Sequence, residues 1–180
     1  RALLESGIKL IEVPLNSPDP YESIRLLSKD LEGECLCGAG TVLNPEQVDM
    51  VYEAGGRLIV SPNTNLAVIA RTLEKSMVSM PGCYTPTEAF DAVSAGASFL
   101  KLFPADSAGI GHLKAIKTVL PQHIRVIATG GVDASNMSEW FAAGVSGLGV
   151  GGSLYKPGIS LVNLRSKAEA LVAGYCALES

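Results

Sequence analysis

The sequence predicts an α/β protein, and within that class a (β/α)8 (TIM) barrel whose first strand-helix unit is missing from this chain. The first observation behind this prediction is a repeat. Glycine after a small residue closes a helical pattern before a short apolar strand, which is typical of a left-handed helix cap. The repeats lie about 41 to 48 residues apart, at 5–8, 53–56, 94–97 and 142–145. Each interval holds one further strand, so the unit is one strand and one helix, the module of a parallel sheet.

The second observation is the number of apolar, β-rich segments. Seven are visible, and their nearly continuous apolar character indicates a sheet that is covered on both faces. Both an open doubly wound sheet and a barrel meet that condition, but seven strands and one preceding unit of roughly 20 residues make eight, which favours the barrel. The predicted strands are 8–15, 35–43, 58–62, 78–82, 99–104, 125–131 and 147–153.

Helical patterns fill the gaps between these strands. Residues 1–6 are typical of the end of a helix, and a last helix is predicted over about 160–178. Pro, Asp, Ser, Thr or Asn stand at the helix starts in three segments: N-P-E-Q (44–47), T-P-T-E-A-F (85–90) and D-A-S-N (133–136). We predict a single barrel domain over residues 1–180, truncated at the N-terminus.

Composition narrows the functional classes. The chain carries 14 Lys and Arg against 18 Asp and Glu, a net charge of −4, and no basic stripe is interleaved with aromatic residues. No nucleic-acid partner is therefore expected. No apolar run approaches the roughly 20 residues that a bilayer crossing needs, so no membrane partner is expected either. Four scattered cysteines are interpreted as reduced core residues. With no visible signal peptide, the predicted location is the cytoplasm.

Lys101 is the first candidate for chemistry, because it interrupts the apolar segment F-L-K-L-F-P (99–104) near the end of a predicted strand. Catalytic groups of a parallel barrel collect at that end of the strands. A lysine facing the interior would be poorly solvated, which lowers its pKa and supplies the neutral amine that attacks a ketone. The alternative is an outward-facing lysine that extends past a helix into solvent.

Glu12 occupies an equivalent place in L-I-E-V-P (10–14). A carboxylate beside the lysine would move protons, directly or through water, as an imine forms and breaks. The alternative is an edge charge paired with a surface lysine.

Glycine-rich segments follow the last two predicted strands, at A-T-G-G-V (128–132) and G-V-G-G-S (149–153). Backbone N–H groups in such segments bind anions, and the loops after strands seven and eight form the usual phosphate site of these barrels. Taken singly, each segment is also compatible with a tight turn.

Thr41 lies in G-A-G-T-V (38–42), near the end of another predicted strand. Its hydroxyl would either hold a substrate carboxylate or cap the helix that Asn44 and Pro45 open, and the sequence slightly favours the cap. His112 and His123 are interpreted as surface residues. Asp106 has no second carboxylate near it in the sequence, so no metal site is predicted.

Six segments together resemble the 2-keto-3-deoxy-6-phosphogluconate and 6-phosphogalactonate aldolase family. They cover nearly the whole chain in order. L-K-L-F-P-A and G-A-G-T-V are specific to that family, whereas the glycine pairs occur in many phosphate-binding barrels. The segments are E-V-P-L-N-S-P (12–18), G-A-G-T-V-L (38–43), V-S-P-N (60–63), P-G-C-Y-T-P-T-E-A-F (81–90), L-K-L-F-P-A (100–105) and G-G-S-L-Y-K-P-G (151–158).

The resemblance implies a class I aldolase that uses no metal and no other cofactor. It implies that Lys101 is the Schiff-base lysine, Glu12 the proton shuttle and Thr41 a contact of the pyruvate carboxylate. The phosphate of the sugar acid would be held by Gly130, Gly131, Gly151, Gly152 and Ser153. Its partners would be a phosphorylated keto-deoxy sugar acid and pyruvate, and its assembly a homotrimer.

The resemblance favours the galactonate substrate, because L-N-S-P (15–18) is similar to the galactonate branch, although Thr129 is similar to the gluconate branch. Two other functions remain alternatives. One is another phosphate-binding barrel enzyme, an epimerase or a decarboxylase. The other is a non-catalytic subunit that binds a sugar phosphate.

Overall fold

The computed structural model describes residues 1–179. Helices and strand segments alternate along this part of the chain. The helices are α1 Ala2–Glu5, α2 Pro20–Asp30, α3 Pro45–Glu53, α4 Leu66–Glu74, α5 Pro86–Ser94, α6 Ala105–Lys117, α7 Met137–Ala142 and α8 Leu161–Glu179. The strand segments are β1 Leu10–Pro14, β2 Leu36–Gly40, β3 Leu58–Val60, β4 Val78–Met80, β5 Gly82–Cys83, β6 Phe99–Leu102, β7 Arg125–Thr129 and β8 Gly147–Gly149.

All strand pairings are parallel, in the orders β1-β2-β3-β4 and β5-β6-β7-β8. Pro81 separates β4 from β5 and has no N–H to donate to the ladder. The segment pairs with β3 before Pro81 and with β6 after it. The seven predicted strands therefore occupy seven consecutive positions, as the barrel prediction requires. Within residues 1–179, no pairing joins β8 to β1.

The predicted glycine caps are confirmed. Gly7, Gly55, Gly96 and Gly144 follow the ends of α1, α3, α5 and α7, with φ values of 101°, 92°, 97° and 95°. That left-handed conformation is costly for residues with a Cβ atom. The repeat read from the sequence is therefore a repeat of structure.

Several strands end earlier than predicted. Thr41, with φ +58°, ends β2, and Gly130 and Gly131, with φ +96° and +70°, end β7. After β8, the N–H groups of Leu154 and Tyr155 both donate to the Gly151 carbonyl and close a turn. The apolar composition continued into these loops, but their backbone leaves the extended region.

Apolar side chains form two kinds of core. Three clusters combine strand and helix residues and fill the space between sheet and helices, as Ala39 does with Ile24 and Val48. A fourth consists of strand residues alone, and it marks the inner face of the barrel because alternate residues of a strand point to opposite faces. Its members are Leu58, Val60 and Met80, with Leu36, Val78, Phe99 and Ile127 packed against them.

Glu88 fixes the start of α5, and its replacement gives a first test of the fold. Its Oε2 accepts the N–H groups of Tyr84 and Thr85, each at 2.8 Å, in a capping box. These bonds lower the pKa of Glu88 below 4.5. Glu88→Ala is expected to cost about 1–2 kcal/mol, or roughly 2–8 °C in Tm.

Because the folded-state pKa is lowered, this contribution is present above about pH 4.5 and is lost as the pH falls through the folded-state value. Thermal melts at pH 7 and in acid check both points. Glu46→Ala is the matched control, since Glu46 lies in the first turn of α3 without a side-chain hydrogen bond among the described residues. Equal losses in the two variants would contradict the prediction.

No helix within residues 1–179 combines the length and the apolar character that a membrane crossing demands.

Candidate active site

Lys101 lies on the inner face of the barrel. It follows Phe99 by two residues on β6 and pairs with Gly82 and Ile127 on the neighbouring strands. Only 7% of its surface is exposed, and its Nζ lies 4.6 Å from the centroid of the Phe103 ring. The outward-facing alternative is therefore wrong.

Glu12 lies on the same face, where β1 pairs with β2. It is the register partner of Gly38, which follows the inner-face residue Leu36 by two positions. Its Oε2 is buried and has no hydrogen-bond partner among the described residues. Gly40 makes this position possible, because a Cβ atom there would lie 1.8 Å from Glu12 Oε2. The alternative of an edge charge paired with a surface lysine is wrong.

The environment shifts both groups toward their neutral forms. Burial lowers the pKa of Lys101, and the charge of Glu12 opposes this shift. Burial likewise raises the pKa of Glu12, and the charge of Lys101 opposes it. Among residues 1–179, neither group forms an ion pair at contact distance. The pair can therefore supply a neutral amine and a proton carrier on one face of the barrel.

Burial of Glu12 should cost stability when it is charged. Its folded-state pKa is raised above 4.5, so the wild type loses stability as the pH rises from about 4.5 through that folded value. Glu12→Gln removes this loss. We expect a Tm about 2–4 °C higher than that of the wild type at pH 8, for a gain on the order of 1 kcal/mol in a chain of this size.

Melting curves across pH 4 to 8 measure the difference, which should shrink toward acid. Glu46→Gln, a change at an exposed carboxylate, should show no such trend. A Tm of Glu12→Gln at or below that of the wild type at pH 8 would contradict the prediction.

Thr41 follows β2 directly and has φ +58°, a rare conformation for a β-branched residue. The cap of α3 is Asn44, whose side chain accepts the Gln47 N–H at 2.9 Å. The helix-cap alternative for Thr41 is therefore wrong. Its hydroxyl forms no hydrogen bond within the described residues and is available to a ligand at the C-terminal end of β2.

The glycine loops after β7 and β8 lie side by side. Ser153 Oγ, after β8, lies 3.4 Å from the Val132 carbonyl oxygen, after β7. Five backbone N–H groups of these loops donate to no acceptor within residues 1–179, which leaves them available to an anion. They belong to Gly130, Gly131, Gly151, Gly152 and Ser153.

Gly40 and Phe103 contribute to the site although the sequence analysis assigned them no role. The available signal was glycine at every second position of a strand. Such glycines lie on the inner face and allow close approach of neighbouring atoms, because a Cβ atom on Gly38 would meet Leu58 and one on Gly40 would meet Glu12. The set comprises Gly38 and Gly40 on β2, Gly82 on β5, and Gly147 and Gly149 on β8. Phe103 had no such signal, because an aromatic residue after an apolar strand is common.

The structure also places His112 and the four cysteines. The His112 ring stacks on Tyr84 with ring centroids 5.0 Å apart, and its Nε2 is within hydrogen-bond distance of the Tyr84 carbonyl oxygen. The side chain, which was interpreted as a surface residue, is therefore held in place by two contacts with Tyr84. Cys37 and Cys83 are buried, as predicted, whereas Cys35 is half-buried and Cys176 exposed. Within residues 1–179, no three His, Cys, Asp or Glu side chains gather as a metal site would require.

A parallel barrel whose inner face carries both a buried amine and a largely buried carboxylate has the features of the lysine-dependent, class I aldolases. The chain belongs to the KDPG and KHG aldolase family, whose sequence pattern matches residues 1–166.

Two curated relatives carry the galactonate name. A probable 2-dehydro-3-deoxy-6-phosphogalactonate aldolase of Rhizobium meliloti (strain 1021) is 49% identical over 177 residues, which is 98% of this chain and 84% of the relative. The 2-dehydro-3-deoxy-6-phosphogalactonate aldolase of Escherichia coli (strain K12) is 44% identical over 174 residues, 97% of this chain and 85% of the relative.

Solved structures agree with the fold prediction. A native KDPGal structure superposes with a TM-score of 0.97 at 43% identity, over 99% of this chain and 86% of that one. The KDPG aldolase of Legionella pneumophila, with pyruvate captured as a covalent carbinolamine, superposes with a TM-score of 0.82 at 29% identity, over 99% and 85% of the two chains. The barrel prediction is confirmed.

Proposed function

We propose that this chain cleaves 2-dehydro-3-deoxy-6-phosphogalactonate, or its gluconate epimer, to pyruvate and D-glyceraldehyde 3-phosphate through an imine on Lys101. The observation that carries the proposal is the burial of the Lys101 amine on the inner face of the barrel, which also carries Glu12. Family membership and the names of the two relatives support the substrate class. The captured pyruvate of the Legionella enzyme supports covalent chemistry on a ketone.

The first step is imine formation. The neutral amine of Lys101 attacks the C2 ketone and forms a carbinolamine, which loses water to give a protonated imine. The lowered pKa of Lys101 increases the fraction of amine that can attack. Glu12 supplies the proton that the departing hydroxyl needs.

The second step breaks the C3–C4 bond. Glu12, acting through water, removes the C4 hydroxyl proton, the bond electrons move into the imine, and glyceraldehyde 3-phosphate leaves. The enamine that remains is protonated at C3, and hydrolysis releases pyruvate and restores the amine. Burial raises the pKa of Glu12, which favours its return to the protonated form after it has given up a proton.

Two further contacts position the substrate in this proposal. Thr41 Oγ1 donates to the carboxylate next to C2. The free N–H groups of Gly130, Gly131, Gly151, Gly152 and Ser153 bind the phosphate at the far end. Binding energy at the phosphate is thereby used to orient the reacting bond.

The proposal includes the galactonate epimer as first choice, a homotrimer as the assembly and the cytoplasm as the location. The epimer follows the two galactonate-named relatives. A designed cage made by fusing symmetric oligomeric domains, with a TM-score of 0.97 at 43% identity over 99% of this chain and 66% of that one, supports a symmetric assembly. A phosphorylated acid does not cross membranes unaided, which supports an enzyme in the compartment where its substrate is made.

The test is mass spectrometry of the protein after incubation with pyruvate and borohydride, which reduces an imine to a stable amine. A pyruvate-sized mass gain that maps to Lys101 is expected, together with cleavage of both epimers at measurably different kcat/KM. Absence of the adduct on the folded protein would overturn the proposal. Sugar-phosphate binding without turnover would then point to a non-catalytic subunit, and turnover without an adduct to an epimerase or decarboxylase.

A further inference from the structure

One lysine from the last helix is bonded to the second glycine loop. Lys167 Nζ donates to the Ser153 carbonyl oxygen at 2.7 Å. Within residues 1–179, it is the only Lys or Arg side chain with a hydrogen bond to either of the loops 130–132 and 149–153. Lys167 Nζ has no other hydrogen-bond or ion-pair partner among the described residues, so this bond determines where the ammonium group lies.

Apolar packing fixes the position of Lys167. Leu164 and Ala168 of α8 are buried against Leu154, which directly follows Ser153, and Val150 joins the same cluster. Residues three and four apart share one side of a helix, so the packed side of α8 carries Lys167 to the loop. The lysine is thus held by the same contacts that hold the loop.

The negative charge around the loops disfavours an anion. The chain has a net charge of −4, and Asp106 borders the first loop so closely that a Cβ atom on Gly131 would lie 2.4 Å from Asp106 Cβ. A phosphate monoester adds a charge of about −1.5 to −2 at neutral pH. Peptide N–H groups carry only partial charge, so a nearby ammonium would strengthen phosphate binding.

We propose that Lys167 is a positioning residue for the phosphate end of the substrate, which it serves by holding the Ser153 carbonyl and by placing a positive charge beside the second glycine loop. The proposal rests on the proposed function, because it takes the phosphate of a sugar acid as the ligand. The free N–H groups of Gly151, Gly152 and Ser153 then face an anion whose charge the lysine partly balances.

The experiment compares Lys167→Met with the wild type. KM for the phosphorylated substrate should rise about 5- to 20-fold while kcat changes less than about twofold, because the interaction is equal in ground and transition states. The inhibition constant of inorganic phosphate should rise by a similar factor. The yield of the pyruvate adduct after borohydride should not change, since pyruvate lacks a phosphate. Lys167→Arg should restore most of the affinity, because arginine keeps the charge and the donor.

Arg165→Met is the matched control. It removes one cation from the same helix, but Arg165 pairs with Glu5 and not with a glycine loop. Its KM and phosphate inhibition should stay at wild-type values. Unchanged KM in Lys167→Met, or a loss shared equally by Arg165→Met, would overturn the inference. So would a parallel fall in pyruvate adduct, which would indicate a general structural role.

This outcome is separable from failure of the proposed function. If the wild type gives no pyruvate adduct, the imine mechanism fails, and calorimetric titration with inorganic phosphate still tests Lys167. Weaker phosphate binding by Lys167→Met would then support the inference, and equal binding would overturn it.

Discussion

Lys101→Met should lower kcat for cleavage of the sugar acid by about 10⁴-fold or more, because Lys101 is the only buried lysine among residues 1–179. Lys101 is 7% exposed and lies among the inner-face residues of the barrel, so methionine fills nearly the same volume without a buried charge. The variant should therefore fold. Its far-UV circular dichroism should match that of the wild type while borohydride traps no pyruvate.

Lys9→Met is the matched control for that experiment, because Lys9 is an exposed lysine just before β1. It should retain wild-type turnover and the adduct. Residual turnover above a few per cent in Lys101→Met would mean that the amine of Lys101 is not the nucleophile. An adduct that persists in this variant would mean that another lysine forms the imine.

Glu12→Gln should lower kcat by about 10²- to 10⁴-fold, the usual range for loss of a general acid–base group. The amide keeps the shape of the side chain beside Gly40 but cannot exchange a proton. Imine formation with pyruvate should slow as well, since proton transfer also assists the loss of water. Stopped-flow and steady-state assays with the same substrate measure both effects.

The stability of this variant separates a catalytic role from a structural one. Lower activity together with a higher Tm at pH 8 is the expected combination, because the carboxylate is buried without a hydrogen-bond partner for Oε2. A loss of activity that tracks a loss of folded protein would contradict the role in proton transfer. Glu46→Gln should change neither quantity.

Much of the fold could be predicted because its signals are local. The glycine caps and the start of α5 at T-P-T-E-A-F (85–90) depend on a few adjacent residues. One charge in an apolar strand marked Lys101 as a candidate, but its burial on the inner face was only one of two alternatives until the structure showed it. The ends of β2, β7 and β8 could not, since composition does not show where the backbone leaves the extended region.

The contacts between separate helices, strands and loops could not be predicted from the sequence. Thr41 and Asn44 are both credible helix caps as residue types, and only the backbone shows that Asn44 fills that place. The contact of Lys167 with Ser153 spans 14 residues and depends on how α8 packs. The space that Gly40 leaves for Glu12 depends on the register between two strands, which the sequence does not state.

That space at Gly40 also bears on how this barrel can change over generations. A methyl group at position 40 and a carboxylate at position 12 compete for one volume, since the added atom would lie 1.8 Å from Oε2. Alanine at position 40 should therefore force the Glu12 carboxylate away from the place that it holds here, so the residues at positions 12 and 40 constrain each other as the sequence changes.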